Sequence, residues 1–253
     1  MGRKEDLEQE IADLTQKIKE NPNADWAYYN RGWAYHKLGQ YERAVQDYDR
    51  AIQIDPNYIN AYNNRGYTYD DFGQYQQAIQ DFNKSIELNP NDDWTYNNRG
   101  LAYKHLGQYE QAIQDYNKAL ELNPNYDYAY VNRGISYKNL GQYEKAIQDF
   151  DKAIEINPKY DRAYNNRGEA YFKLNLYELA IQNYSKAVEL DSKFSEAYNN
   201  RGEAYLKLNL YELAVEDFNK AIEFYPDYAD AYFNRALAWG NFEKYGKAIE
   251  DLT

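Results

Sequence analysis

Cysteine is absent from this chain. That removes disulfides, thiolate-bound zinc, iron–sulfur clusters and cysteine nucleophiles, and it fits a reducing, cytoplasmic setting. Basic residues are outnumbered, 29 Lys and Arg against 41 Asp and Glu for a net charge of −12, and no long basic run occurs. Phosphate backbones and anionic membrane surfaces are poor partners for such a chain, so neither nucleic acid nor membrane is expected as a ligand. No apolar run approaches membrane-spanning length. The opening MGRKEDLEQEIADL is charged, with no apolar core of a secretory signal and no Ser or Thr placed for myristoylation of Gly2. His36 and His105 are the only histidines. There is no HExxH, phosphate loop, GxGxxG or GxSxG pattern, so no catalytic residue, cofactor or metal is expected.

Proline is scarce, six in all, but its placement is regular: Pro22, Pro56, Pro90, Pro124, Pro158 and Pro226, with Ser192 filling the one gap. Neighbours in this series stand 34 residues apart, and a unit of that length buries its apolar face only by stacking on copies of itself. In the first unit small and aromatic residues recur three to four apart at Ala27, Tyr28, Gly32, Ala34, Tyr35 and Leu38. After Gly39-Gln40 the period resumes at Tyr41, Ala44, Val45, Tyr48, Ala51 and Ile52 and stops at Asp55-Pro56. This predicts helix A, a short turn, helix B and a proline-stopped loop, repeated down the chain. Helix A keeps a glycine at Gly32, Gly66, Gly100, Gly134, Gly168 and Gly202. Glycine inside a helix costs about 1 kcal/mol relative to alanine, so close helix approach is expected there, with Ala44, Ala78, Ala112, Ala146, Ala180 and Ala214 as the small residues opposite.

The expected organisation is an N-terminal capping helix and loop over residues 1–24, followed by seven units at 25–58, 59–92, 93–126, 127–160, 161–194, 195–228 and 229–253, the last one shortened. Leu7, Ile11, Leu14 and Ile18 form the inner stripe of the cap, and Thr253 falls inside the seventh helix B, as expected for a piece of a longer protein.

These motifs resemble the tetratricopeptide repeat, W-x2-L-G-x2-Y, then A-x3-F, then P. Here the pattern is Tyr62-x2-Arg65-Gly66-x2-Tyr69, then Ala78-x3-Phe82, then Pro90, in register from Asp25 onward. Arg stands at the usual Leu position in every unit. The resemblance implies an all-α, right-handed superhelical solenoid of antiparallel helix pairs whose helices A line a concave wall that binds an extended peptide segment of a partner.

Positions that vary between otherwise similar units mark that wall: Trp26, Tyr29, Trp33, His36 and Lys37 in the first; Asn60, Asn63, Tyr67, Asp70 and Asp71 in the second; Trp94, Asn97, Leu101, Lys104 and His105 in the third; Tyr128, Val131, Ile135, Lys138 and Asn139 in the fourth; Asn165, Glu169, Phe172 and Lys173, then Asn199, Glu203, Leu206 and Lys207, beyond. The histidines are read as solvated residues at equivalent places two units apart. An asparagine ladder runs beside them at Asn30, Asn64, Asn98, Asn132, Asn166, Asn200 and Asn234. The family likeness implies that such asparagines touch peptide backbone, and Asn64, Asn98 and Asn132 are the central candidates. Bonding across helices as part of the scaffold is the alternative. The two-carboxylate clamp that some members use is not reproduced, since Tyr29, Trp33, Trp94 and Asn98 occupy its places. The arginine ladder either pairs with helix-B acids at Asp47, Asp81, Asp115, Asp149, Asp217 and Asp251, with Asn183 the exception, or faces a ligand; the regular acids favour pairing. An adaptor binding a partner segment is the expected function. A self-assembling array stacked end to end is one alternative, and a recombined or designed scaffold without ligand is another, given the near-identical stretches at 165–180 and 199–214.

Overall fold

The computed structural model describes residues 2–241 and 243–252, with the side chains of residues 2, 3 and 252 left aside; Met1 of the cap and Thr253 of the last unit lie outside it. Every described regular element is a helix. Residues up to Pro124 form one compact unit and those from Asn125 a second. The first holds α1 (Gly2–Glu20), α2 (Asp25–Lys37), α3 (Tyr41–Ile54), α4 (Ile59–Asp71), α5 (Tyr75–Leu88), α6 (Asp93–His105) and α7 (Tyr109–Leu122). The second holds α8 (Asp127–Asn139), α9 (Tyr143–Ile156), α10 (Asp161–Lys173), α11 (Tyr177–Leu190), α12 (Ser195–Lys207), α13 (Tyr211–Phe224), α14 (Ala229–Asn241) and α15 (Tyr245–Leu252). Within each unit helix A packs antiparallel on its own helix B, and helix B packs on the next helix A, which is the solenoid of paired helices expected from the 34-residue period.

The turn inside each pair is built by one residue in the left-handed region. Gly39 has φ 71°, its N–H bonds the His36 carbonyl at 2.8 Å, and the Gln40 N–H reaches back to Tyr35 O at 2.9 Å. This Schellman closure satisfies carbonyls that the helix end leaves open. Asn175 and Asn209 take the same role at φ 60° and 59°, as the short polar side chain of asparagine allows.

The helix-A glycines face an aromatic ring first, and at Gly32 the expected alanine joins it through the Ala44 carbonyl. A Cβ at Gly66 would lie 2.9 Å from Phe82 Cε1, and one at Gly168 would lie 2.6 Å from Tyr184 Cε1. Each fully buried ring, Tyr48, Phe82, Tyr116, Phe150, Tyr184 and Phe218, therefore seats on the bare backbone of its own helix A. The alanines Ala44, Ala78 and Ala112 are buried beside these rings.

The arginine ladder is structural. Arg201 gives Nε and Nη2 to the two oxygens of Asp217, both at 2.7 Å, and Nη1 to Ser185 Oγ of the preceding pair at 3.0 Å. Arg31, Arg65, Arg99, Arg133 and Arg235 make the same fork to Asp47, Asp81, Asp115, Asp149 and Asp251. Arg167 meets Asn183 at 2.7 Å and takes Asp151 instead. Arg31 gives its third nitrogen to Thr15 Oγ1 of α1 at 3.0 Å. The cap thus supplies the same contact that a preceding helix B supplies elsewhere, with Leu14 buried beneath it.

Candidate functional site

Helices A present the variable residues, and the structure divides them into exposed and engaged groups. In the first unit Tyr29 sits between α2 and α4, its hydroxyl accepting from Asn64 Nδ2 at 2.9 Å and its ring 5.1 Å from Tyr58. Tyr29, Asn60, Asn63, Asn64, Asp92 and Trp94 line an open pocket of about 260 Å³. Its floor is set by hydrogen bonds: Asn63 Nδ2 donates to Asp92 at 3.0 Å, and the Thr95 hydroxyl lies 2.8 Å from Asn63 Oδ1. Burial pushes the Tyr29 phenol up, with the Asn64 bond working against it. Tyr67 packs 6.0 Å from Trp94, and burial followed by Asp71 and Asp70 raises its phenol.

A second cavity, about 550 Å³, opens between α1 and α2 against Leu7, Glu10, Trp33 and Lys37. The Lys37 ammonium lies 4.2 Å over the Trp33 ring, and the indole stacks on His36 at 5.1 Å with 4° between planes. His36 is not a solvated wall residue. It is 7% exposed, enclosed by Tyr41 and Tyr67, with Nδ1 3.0 Å from Thr68 Oγ1 and Nε2 3.4 Å from Asp71. Loss of solvation, then Lys37, pushes its pKa down to about 4. Nor is it equivalent to His105. A shift of two units carries position 36 to Lys104 and position 37 to His105, and His105 instead contacts Asp70 at 3.2 Å. Trp26 is 46% exposed and lies beneath Lys17 of α1, while Asn30 bonds back to the Trp26 carbonyl at 2.7 Å.

Several positions read as free are buried: Asn63, Asp70, Asn97, Val131, Asn165 and Asn199; Asn63, Asp70, Asn165 and Asn199 each contact a polar residue of the next helix A. The asparagine ladder is correspondingly mixed. Asn200 and Asn234 donate to Asn165 and Asn199, residues of the previous helix A, at 3.1 Å each. Asn166 donates to its own Arg162 carbonyl at 2.9 Å. Asn98 is buried with its Nδ2 unpartnered and accepts a long contact from Asn97 at 3.4 Å; Leu101 and Lys104 lie on the same helix α6. Asn132 is half-buried and partnered. The scaffold reading thus accounts for Asn200 and Asn234, and in part for Asn64.

In the second unit Tyr128 is 57% exposed beside Tyr160. Lys138 is tied to Asn166 Oδ1 at 2.9 Å and to Glu169. A small cavity of about 140 Å³ lies between Glu169, Phe172, Lys173, Tyr184, Asn200 and Glu203. Glu196, exposed in the first turn of α12, has its carboxyl pushed up by partial loss of solvation first and by the charge of Glu169 second. No group of three or more His, Cys, Asp or Glu among the described residues is placed to hold a metal ion. No described helix is long and apolar enough to cross a membrane.

The tetratricopeptide repeat family model matches residues 26–58, 59–92, 94–126, 128–160 and 195–228. The chain belongs to the tetratricopeptide repeat family. Two further repeat models of the same kind match 150–182 and 170–209. No curated protein matches this tetratricopeptide repeat chain significantly. Among solved structures, a tetratricopeptide repeat protein from Parabacteroides merdae is 25% identical over 93% of each chain with a TM-score of 0.74. YrrB, titled a TPR protein with an unusual peptide-binding site, is 26% identical over 73% of this chain and 95% of its own, with a TM-score of 0.59. A chain of the Cut9–Hcn1 APC/C hetero-tetramer superposes over 94% of this one at a TM-score of 0.77 with 20% identity, a likeness of fold alone; this chain spans 46% of it. Family and neighbours together support a general role as a protein–protein interaction scaffold.

Proposed function

We propose that this repeat array is an adaptor that holds an extended peptide segment of a partner protein against helices α2, α4 and α6. The observation that carries the reading is the cavity between Tyr29, Asn60, Asn63, Asn64, Asp92 and Trp94. Its walls combine two aromatic faces with amide and carboxylate groups, the mix that anchors a side chain while fixing backbone register. Tyr29 occupies the Asn64 Nδ2 donor, which orients Asn64 Oδ1 as an acceptor for a peptide N–H. In this reading Trp33 and Lys37 take a second anchor, Tyr67, Leu101 and Lys104 extend the track from Trp94, and Trp26 with Asn30 forms its edge against α1. Asn98 is buried on α6, and Asn132 stands on α8 of the second unit. Tyr128 is the exposed anchor of the second unit, where Lys138, Asn166 and Asn200 shape the wall. The peptide-binding site named for YrrB supports the assignment. The cap and seven-unit division at 25–58 to 229–253 is the frame we adopt for it, and a reducing, cytoplasmic setting is supported by the missing cysteines. No catalytic role is assigned.

The test is selection of a displayed random-peptide library on the parent chain, followed by titration of the enriched peptide against Trp94→Ala and Tyr29→Ala variants. Loss of a buried aromatic anchor weakens binding by about 1–2 kcal/mol or more, roughly tenfold in affinity. Failure to enrich any sequence, or an enriched peptide indifferent to both changes, refutes the reading. End-to-end stacking has one observation in its favour. Phe233, Leu237, Tyr245 and Ile249 on α14 and α15 are 46–62% exposed, whereas Asn199, which corresponds to Phe233, is buried beneath the next helix A.

A further inference from the structure

Glu169 and Glu203 stand where the other helices A carry Trp33, Tyr67, Leu101, Ile135 and Leu237. Both are half-buried, at a place that takes an apolar side chain elsewhere, so the fold does not call for either carboxylate. They line the pocket of about 140 Å³ between α10, α11 and α12, with Phe172, Lys173, Tyr184 and Asn200. Tyr184 adds a second, independent departure. It is 1% exposed, and Phe82, Phe150 and Phe218 fill its seat in other units, so packing needs the ring and not the hydroxyl. The hydroxyls of Tyr48 and Tyr116 are closed off from free space. That of Tyr184 has no hydrogen-bond partner among the described residues and opens on the pocket. A buried hydroxyl left in this state gains from any ligand that bonds it.

The polar atoms still open in this pocket are mostly acceptors. Asn200 gives its Nδ2 to Asn165 Oδ1 at 3.1 Å, which leaves its own Oδ1. Glu203 accepts from Asn199 and Asn234 on Oε1, at 2.8 and 2.9 Å, which leaves Oε2. Glu169 accepts from Asn165 on Oε1 at 2.9 Å and pairs through Oε2 with Lys138. Glu203 and the exposed Glu196 have no ion pair among the described residues. The excess of negative charge is felt at Tyr184, whose phenol is pushed up by burial and then by Glu169, Glu203 and Glu196. Lys173 is the opposing charge in the lining, exposed and without an ion pair among the described residues. The described acids are not placed to hold a metal ion, so the matching cation is an organic one.

We propose that this pocket receives the ammonium of a lysine side chain from a partner segment, held by Glu203, Asn200 and Tyr184, with Phe172 against its methylenes. An ammonium carries three donors, and Glu203 Oε2, Asn200 Oδ1 and the Tyr184 hydroxyl offer three acceptors. Arginine is the poorer fit. Its planar fork pairs with both oxygens of a carboxylate, and Glu203 Oε1 is already taken twice. The pocket has room for the ammonium and the end of its stem, so the rest of the ligand lies outside, as a peptide main chain does. That the ammonium belongs to a partner's lysine rests on the adaptor reading; that the pocket takes an ammonium does not.

The test is titration of Nα-acetyl-lysine N-methylamide into the isotope-labelled full chain, followed in the proton–nitrogen correlation spectrum at the Phe172 and Lys173 backbone amides and the Asn200 side-chain amide. These signals should shift and saturate with a dissociation constant on the order of 1 mM, as suits so small a ligand. The Nε-acetyl and norleucine counterparts, which keep the stem without the charge, should move none of them. Tyr184→Phe, the residue other units use at this place, should weaken binding about fivefold and Glu203→Gln about tenfold, with the rest of the spectrum unchanged. Lys173→Ala removes a like charge and should tighten binding about twofold. No saturable shift up to about 20 mM, equal shifts from the neutral counterparts, a Tyr184→Phe chain that binds like the parent, or loss of binding in Lys173→Ala, the mark of an anion site, would each overturn the proposal. The ligand is a single residue and the site lies on α10, α11 and α12, so this result and the peptide selection that tests α2, α4 and α6 stand or fall separately.

Discussion

Alanine at Gly168 tests whether the repeated glycines exist to seat an aromatic ring. Its Cβ would fall 2.6 Å from Tyr184 Cε1 and 2.8 Å from Cδ1, well inside the optimal carbon–carbon separation of about 3.5–4.0 Å. Tyr184 is 1% exposed and packs within a cluster containing Ala180 and Ala204, so the ring can retreat only toward the small cavity it lines with Phe172 and Asn200. Overpacking of this kind costs about 1–3 kcal/mol. Alanine returns about 1 kcal/mol of helix propensity. With two sub-contact distances the steric cost belongs in the upper half of its range, which leaves a net loss of about 1–2 kcal/mol. Gly240 is the internal control: it lies in α14 with no atom within 4 Å of an added Cβ, so Gly240→Ala should gain up to about 1 kcal/mol. Gly32, whose nearest ring atom is 3.0 Å away, should lie between the two. Urea unfolding followed by circular dichroism measures all three. In a Tyr184→Leu background the sign of Gly168→Ala should reverse, because the clash is gone and only propensity remains. A Gly168→Ala protein as stable as the parent in the native background would refute the reasoning.

Asp217→Ala should destabilise the chain by about 3–5 kcal/mol, because it leaves the Arg201 guanidinium buried without its carboxylate. Glu189→Ala, which removes the exposed partner of Lys186, should leave stability essentially unchanged because water screens the pair; comparable losses in denaturant titrations of the two would contradict the structural reading of the ladder. His36 binds fewer protons in the folded chain than in the unfolded one between its pKa of about 4 and the ordinary 6.5. Its contribution is therefore full above pH ~6.5 and is lost as pH falls toward ~4, an effect on the order of 2 kcal/mol. Thr68 and Asp71 face the ring from α4 and Lys37 adjoins it; a His36→Gln chain should lose this part of the pH slope, and parallel stability profiles for the two proteins from pH ~7 to ~4.5 would show that His36 does not supply it.

Periodicity was enough to read the repeat, because each 34-residue unit restates the same local instructions: a helical period, a residue tolerant of positive φ at the turn, and a proline stop. The arginine–aspartate pairing was also legible, since both partners recur 16 residues apart and only the acid is missing in one unit, at Asn183, where Arg167 takes its carboxylate from Asp151. Close approach at glycine was foreseen but its partner was not. Alanine and aromatic sit four residues apart on the same helix face, and only the packed backbone decides which of the two meets Gly168. Variation between units misled in a similar way. It marked Asn63, Asn165 and Asn199 as free, yet the next helix A covers them, because stacking brings together residues 35 apart that sequence spacing alone leaves unrelated. His36 is the clearest case. Its neighbours in sequence are ordinary wall residues, but Thr68 and Asp71 from the next helix A, with Tyr41 and Tyr67 around the ring, enclose it. What the sequence determined by itself was the unit, its caps and its internal pairing, all of which are local and repeated. Tertiary structure alone decided which variable side chains are left facing outward, since burial depends on what the neighbouring unit lays over them.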